Sequence, residues 1–97
     1  MSKIFEFNSV DELKDKVEGK DLYMSIEVYT QIKKAFYNKV KRKKVIAFSA
    51  KVKQHDILDF ELARDQWGKS LNTCLEVFAN NNMFEECIEI QKIIKDL

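Results

Sequence analysis

At 97 residues, 45% hydrophobic and 34% charged, this chain has room for one domain with a modest core, and its composition is that of a soluble globular protein rather than a disordered one. No stretch approaches the roughly 18 apolar residues of a membrane-spanning helix, two cysteines make no disulfide framework, and Glu6 inside the first apolar segment argues against a secretory signal, so the expected setting is the cytosol with no membrane partner. The formal net charge of +1 hides a segregation: nine basic and no acidic side chains lie between Val28 and His55, whereas residues 1–27 carry four basic against seven acidic groups and residues 56–97 four against nine.

In chain order, Ile4, Phe5 and Phe7 ahead of Asn8-Ser9 predict a short first strand. Ser9 and Glu12 have the spacing of a capping box, and Val10, Leu13 and Val17 recur at helical period. A short helix is therefore expected, and Gly19 can end it by taking a positive φ. Residues 21–43 carry two periods at once. Leu22, Met24, Ile26 and Val28 alternate as in a strand, whereas Val28, Ile32, Phe36 and Val40 recur every four residues. The expected solution is an extended segment that turns helical at about Ser25 and runs to about Arg42, because Lys, Gln and Ala favour helix.

From Lys44 onward Ile46, Phe48, Ala50 and Val52 alternate with Ala47, Ser49, Lys51 and Lys53. After Gln54-His55-Asp56, Leu58, Phe60 and Leu62 alternate with Asp59, Glu61 and Ala63, so the two runs predict an antiparallel hairpin. A single helix from Asp56 is the rival, since Phe60, Ala63, Trp67, Leu71, Cys74 and Phe78 also fit a helical period. Asp65 is expected to cap a helix carrying Trp67, Leu71, Cys74, Leu75 and Phe78. Asn80-Asn81-Asn82 interrupts that helix, and a second follows with Phe84, Cys87, Ile88, Ile90, Ile93, Ile94 and Leu97 on its apolar positions. Folding back at the asparagines opposes Trp67 to Ile94, Leu71 to Ile90, Cys74 to Cys87 and Phe78 to Met83. Residues 65–97 thus predict an αα-hairpin. The chain as a whole reads as one α+β domain, with a small antiparallel sheet, a basic helix and that C-terminal antiparallel αα-hairpin; an all-α bundle is the alternative.

The segment Met83-Phe84-Glu85-Glu86-Cys87-Ile88-Glu89-Ile90-Gln91-Lys92-Ile93-Ile94-Lys95-Asp96-Leu97 resembles the second helix of the UVR motif, a helical hairpin of the nucleotide-excision proteins UvrB and UvrC and of the stress protein McsA. The likeness covers roughly the final 28 residues and lies in Phe84-Glu85, in a small residue at Cys87, and in the apolar positions Ile90, Ile94 and Leu97. The chain departs from that pattern at Gln91-Lys92, where the family usually has Arg-Asp, and at Ile88 in place of a second small residue. In that family the hairpin docks other proteins, so the resemblance implies protein–protein contact and no catalysis.

Lys33, Lys34, Lys39, Lys41, Arg42, Lys43 and Lys44 surround Phe36 and Tyr37, a candidate anion-binding face with phosphate-neutralising charge beside stacking rings. Lysine outnumbers arginine there, which suits sequence-independent attraction to phosphate more than base reading. The plainer reading is a solvated helix face with Phe36 in the core. Glu85, Glu86 and Glu89 form an acidic face that could meet the basic stretch of a second copy, with Phe84 as a candidate interface residue; Trp67 reads as core at the open end of the hairpin, with an interface anchor as its alternative. His55-Asp56 reads as a turn, because metal chemistry needs further ligands and His55 is the sole histidine. Cys74 and Cys87 read as small apolar residues of a reduced core. No glycine-rich phosphate loop, catalytic constellation, metal set or cofactor motif is present in the sequence. The expectation is a small non-enzymatic intracellular interaction or regulatory module, with a protein partner or self-association. A nucleic-acid or other polyanion binder is the alternative, and a protein that sequesters a phosphorylated ligand is a third.

Overall fold

A computed structural model describes residues 4–18, 21–38, 44–53 and 57–97. The elements run β1 (Ile4–Phe7), α1 (Val10–Glu18), α2 (Leu22–Tyr37), β2 (Lys44–Val52), β3 (Ile57–Ala63), a 3₁₀ turn over Arg64–Gln66, α3 (Trp67–Asn80) and α4 (Phe84–Asp96). This is the α+β architecture expected, with the C-terminal helical pair in place. The strand at Ile57–Ala63 removes both the all-α bundle and the single long helix from Asp56.

The strands lie in the order β1-β2-β3. β2 and β3 pair antiparallel, from Lys44 opposite Ala63 to Lys51 opposite Ile57. β1, however, lies parallel to β2, from Ile4 opposite Ser49 to Phe7 opposite Val52, so the sheet is mixed rather than purely antiparallel. Parallel neighbours need a crossover between them, and α1 and α2 provide it. One residue is extra in β2: Ile46 faces Glu61 and Phe48 faces Phe60, leaving Ala47 as a bulge. The bulge resets the alternation. Ala47 is buried although its phase predicts an outward side chain, and Ile46 turns outward. On the covered face Phe48 stacks on Phe60 at 4.5 Å and meets Phe5 edge-on at 5.7 Å, joining all three strands through aromatic contacts. On the other face Ile4, Ile46 and Ile57 are exposed, and the buried Ser49 donates its hydroxyl to Asp59 at 2.5 Å.

α1 opens as its sequence predicts, with the Glu12 N–H donating to Ser9 Oγ at 3.1 Å. The return bond from Glu12 Oε2 reaches the Asn8 N–H at 3.2 Å, one residue earlier than in a standard capping box. Gly19 lies outside the described residues. α2 starts at Leu22, so residues 22–24 are helical rather than extended; it ends at Tyr37, and most of the projected continuation to Arg42 falls outside the described residues. The strand-like alternation at its start has a physical source. Met24 joins the sheet's core cluster, Tyr29, Ile32 and Ala35 join the helical one, and Val28 packs against both. A helix buried on two sides carries apolar residues around a wide arc, and that arc mimics a period of two.

Asp65 does not cap α3. The chain leaves β3 through the 3₁₀ turn, which places Asp65 inside that turn, and Gln66 Oε1 folds back to accept the Ala63 N–H at 3.2 Å. α3 ends in a Schellman arrangement: Met83 N–H donates to Phe78 O at 2.9 Å and Asn82 N–H to Ala79 O at 3.2 Å. Asn82 supplies the left-handed residue at φ 59°, and Asn81 Nδ2 adds a bond to Val77 O at 2.7 Å. The turn returns α4 onto α3, where Trp67, Leu71, Phe78, Ile90 and Ile93, together with Ile32 of α2, are completely buried. Each such side chain contributes roughly 1.5–3 kcal/mol by leaving water.

Two outcomes are expected from this packing. Leu71→Ala should lower unfolding free energy by about 2–5 kcal/mol in a denaturant titration, through lost transfer energy and a residual cavity. Asn82→Val should cost about 1–2 kcal/mol because a β-branched side chain resists the left-handed conformation, whereas Asn82→Gly should leave stability unchanged or raised.

Candidate functional site

α4 carries two apolar faces. Cys87, Ile90 and Ile93 are buried against the core. Phe84 and Ile88, one turn apart, point away from it and are 59% and 55% exposed. Two large apolar side chains adjacent on an outer helix face form a contiguous patch, which scattered surface residues do not. Leu97, another apolar position of this segment, is exposed as well. The sequence does hold a signal for this, because Phe84 and Ile88 are four apart whereas Cys87, Ile90 and Ile93 define a different stripe.

Glu85 and Glu89 follow Phe84 and Ile88 along one flank of the patch, whereas Glu86 lies on the other side of the helix. Glu85 is exposed, and Glu86 and Glu89 are partly buried. Glu85 and Glu86 occupy the first turn of α4, where the partial positive charge of the helix N-terminus stabilises carboxylates. Glu89 accepts the Tyr37 hydroxyl and so ties α2 to α4. That bond, followed by lost hydration and the carboxylate charge of Glu89, raises the Tyr37 pKa above the usual tyrosine value.

Trp67 is wholly interior and is not an interface anchor. Its Nε1 donates to Leu62 O at 3.3 Å, and Arg64 lies over its ring at 5.2 Å from the centroid. The 3₁₀ turn aims the indole back under the end of β3, which settles it in the core.

Of the basic run, Lys33 and Lys34 stand on α2. Lys33 Nζ lies 5.5 Å from the Tyr29 ring centroid, a cation–π contact, while Lys34 is exposed. Lys44 opens β2 opposite Ala63. Lys39, Lys41, Arg42 and Lys43 lie outside the described residues, as does His55-Asp56. The residues expected to form an anion-binding face are therefore brought together only as far as this pair on α2.

A feature that the sequence did not announce is a cleft of about 260 Å³ between the sheet, α1, α2 and α3. Met24, Val28, Phe48, Phe60, Leu62 and Cys74 supply its apolar wall. It opens where the two core clusters meet without merging. The Cys74 thiol donates to Ser25 O at 3.4 Å, and Cys87 donates to Leu75 O at 3.7 Å; both cysteines are free. Burial pushes the Cys74 thiol up to about 12, against a smaller opposing pull from backbone hydrogen bonds. Among the described residues no group of three or more His, Cys, Asp or Glu side chains could hold a metal ion, and no helix is long and apolar enough to cross a membrane.

Native Cys74 should accordingly be alkylated by iodoacetamide at mildly alkaline pH roughly 100-fold or more slowly than in denaturant, at a rate that follows opening of the fold. Because its folded pKa is raised, stability should be unaffected below the ordinary thiol pKa and decline as pH climbs from there toward 12, a decline that Cys74→Ala removes in pH-dependent melting. Compared with family models, with curated proteins and with solved structures, the chain matches none.

Proposed function

We propose that this chain is a non-enzymatic protein-interaction module that associates through the outer face of α4, with a second copy of itself as partner. The observation that carries this reading is the exposed Phe84–Ile88 patch on a helix whose opposite face is already committed to the core. Such a helix has apolar surface to spare. Folding consumes one stripe, and the other gains by leaving water on association.

Charge favours a like partner. The patch is flanked by Glu85 and Glu89, whereas residues 28–55 carry nine basic side chains and no acid. Opposite potentials on one surface steer copies together and fix their orientation more than they add affinity. The resemblance of residues 83–97 to the UVR motif, a docking hairpin, points the same way.

Sedimentation or light scattering across a concentration series is the test. The wild type should show a mass that rises with concentration and falls with added salt. The Phe84→Asp, Ile88→Asp double variant should stay monomeric with unchanged helicity and melting, because both side chains point outward. Truncating one such anchor typically costs 1 kcal/mol or more, so Phe84→Ala alone should raise Kd by about fivefold or more. A wild type that remains monomeric at every concentration and salt, or a double variant that associates like it, would defeat the proposal.

A further inference from the structure

The cleft between the two core clusters is built for more than a packing gap. Its wall is apolar, but one buried polar group sits in it: Ser25 of α2, 7% exposed. A serine or threonine inside a helix commonly turns its hydroxyl onto the carbonyl four residues back. Thr30 does so to Ile26 O at 2.7 Å, and Thr73 to Lys69 O at 3.3 Å. The Ser25 hydroxyl does not; among the described residues it has no hydrogen-bond partner, and Asp21 O accepts only the Ser25 backbone N–H, at 3.0 Å. No side-chain nitrogen or oxygen of a described residue is sealed from solvent without a partner. The Ser25 hydroxyl therefore faces the cleft, where water reaches it, and a ligand that displaces this water must return its hydrogen bond or leave the hydroxyl unpaired.

We propose that this cleft binds a small, mostly apolar molecule carrying one neutral hydrogen-bonding group, with that group on the Ser25 hydroxyl. Volume sets the size. An apolar protein cavity of about 150 Å³ accommodates benzene, so 260 Å³ suits a substituted single ring or a comparable aliphatic body. Ring character is favoured by the stacked Phe48 and Phe60 in the wall. Charge on the ligand is disfavoured in either sign. Lys16 and Asp21 bring one charge of each sign to the cleft, and its apolar wall would strip the water from a charged guest without replacing it. Exposed Lys16 and Val17 of α1 mark the cleft's open side. A few polar groups convergent on an otherwise apolar concavity are the usual make-up of a small-molecule site. α4 contributes nothing to this wall, so the site is independent of the association surface.

The experiment compares three probes of one shape: 4-propylphenol, propylbenzene and 4-propylbenzoate. Each is titrated against the full chain, and binding is followed by backbone amide shifts and by thermal melting. The phenol should bind saturably, move the amides of Met24, Ser25, Phe60 and Cys74, and raise the melting temperature. Propylbenzene and the benzoate should bind about tenfold more weakly or worse, because one leaves Ser25 unmatched and the other buries a charge. Ser25→Ala should bring the phenol down to the level of propylbenzene. Ser70→Trp, at a partly buried α3 position on the cleft wall, should abolish binding of all three. If that variant loses the native amide spectrum, the Ser25→Ala comparison decides alone. Absence of saturable binding up to the solubility limit, shifts centred outside the cleft, or a phenol preference that survives Ser25→Ala overturns the proposal.

Discussion

The fold depends on α2 being shared by two cores. A three-stranded sheet covered on one face is a marginal structure, and two helices joined by a tight turn are no better. α2 gives each of them a second layer: Met24 joins the aromatic face of the sheet, while Tyr29, Ile32 and Ala35 join the hairpin. The contacts that cross these boundaries are specific ones. Tyr29 meets Phe78 edge-on at 5.5 Å, and Cys74 bonds to Ser25 O. Leu62 at the end of β3 packs against both clusters, as Val28 does. The same division explains why there is a cleft at all, since two cores sharing one helix need not meet along its whole length.

What could be read in advance was whatever is decided between near neighbours in the chain. The α3–α4 pair was legible because Trp67, Leu71, Cys74 and Phe78 repeat at helical spacing and the asparagines mark the reversal. The β2–β3 hairpin was legible from alternation around a short connection. What was hidden depends on distant partners. Nothing within Ile4–Phe7 says that this strand runs parallel to β2, and nothing around Ala47 announces a bulge that shifts Ile46 outward. Trp67 reads as core from its place opposite Ile94, and the structure buries it, but the 3₁₀ turn that aims it beneath β3 was not legible. The cleft was invisible for the same reason, as its walls come from five separate elements. On α4 the spacing separates Phe84 and Ile88 from Cys87 and Ile90, which the folded-back hairpin opposes to Cys74 and Leu71.

The two surfaces singled out here use opposite physics. On α4, large apolar groups lie in water with charge around them, an arrangement suited to another macromolecular surface. In the cleft, apolar groups are already withdrawn and one hydroxyl waits for a partner, an arrangement suited to a small guest.

The parallel pairing of β1 with β2 also bears on the order of folding. The β2–β3 ribbon and the α3–α4 turn close over short stretches of chain, whereas Ile4 must find Ser49 across both intervening helices. Chain entropy charges more for the longer closure and is repaid only when the sheet already exists to receive the strand. The earliest strand in sequence is thus the latest to dock. During ribosomal synthesis Phe5 and Phe7 have no sheet to cover them until the central strand has been made, so this stretch is where a nascent chain most needs shelter from neighbours.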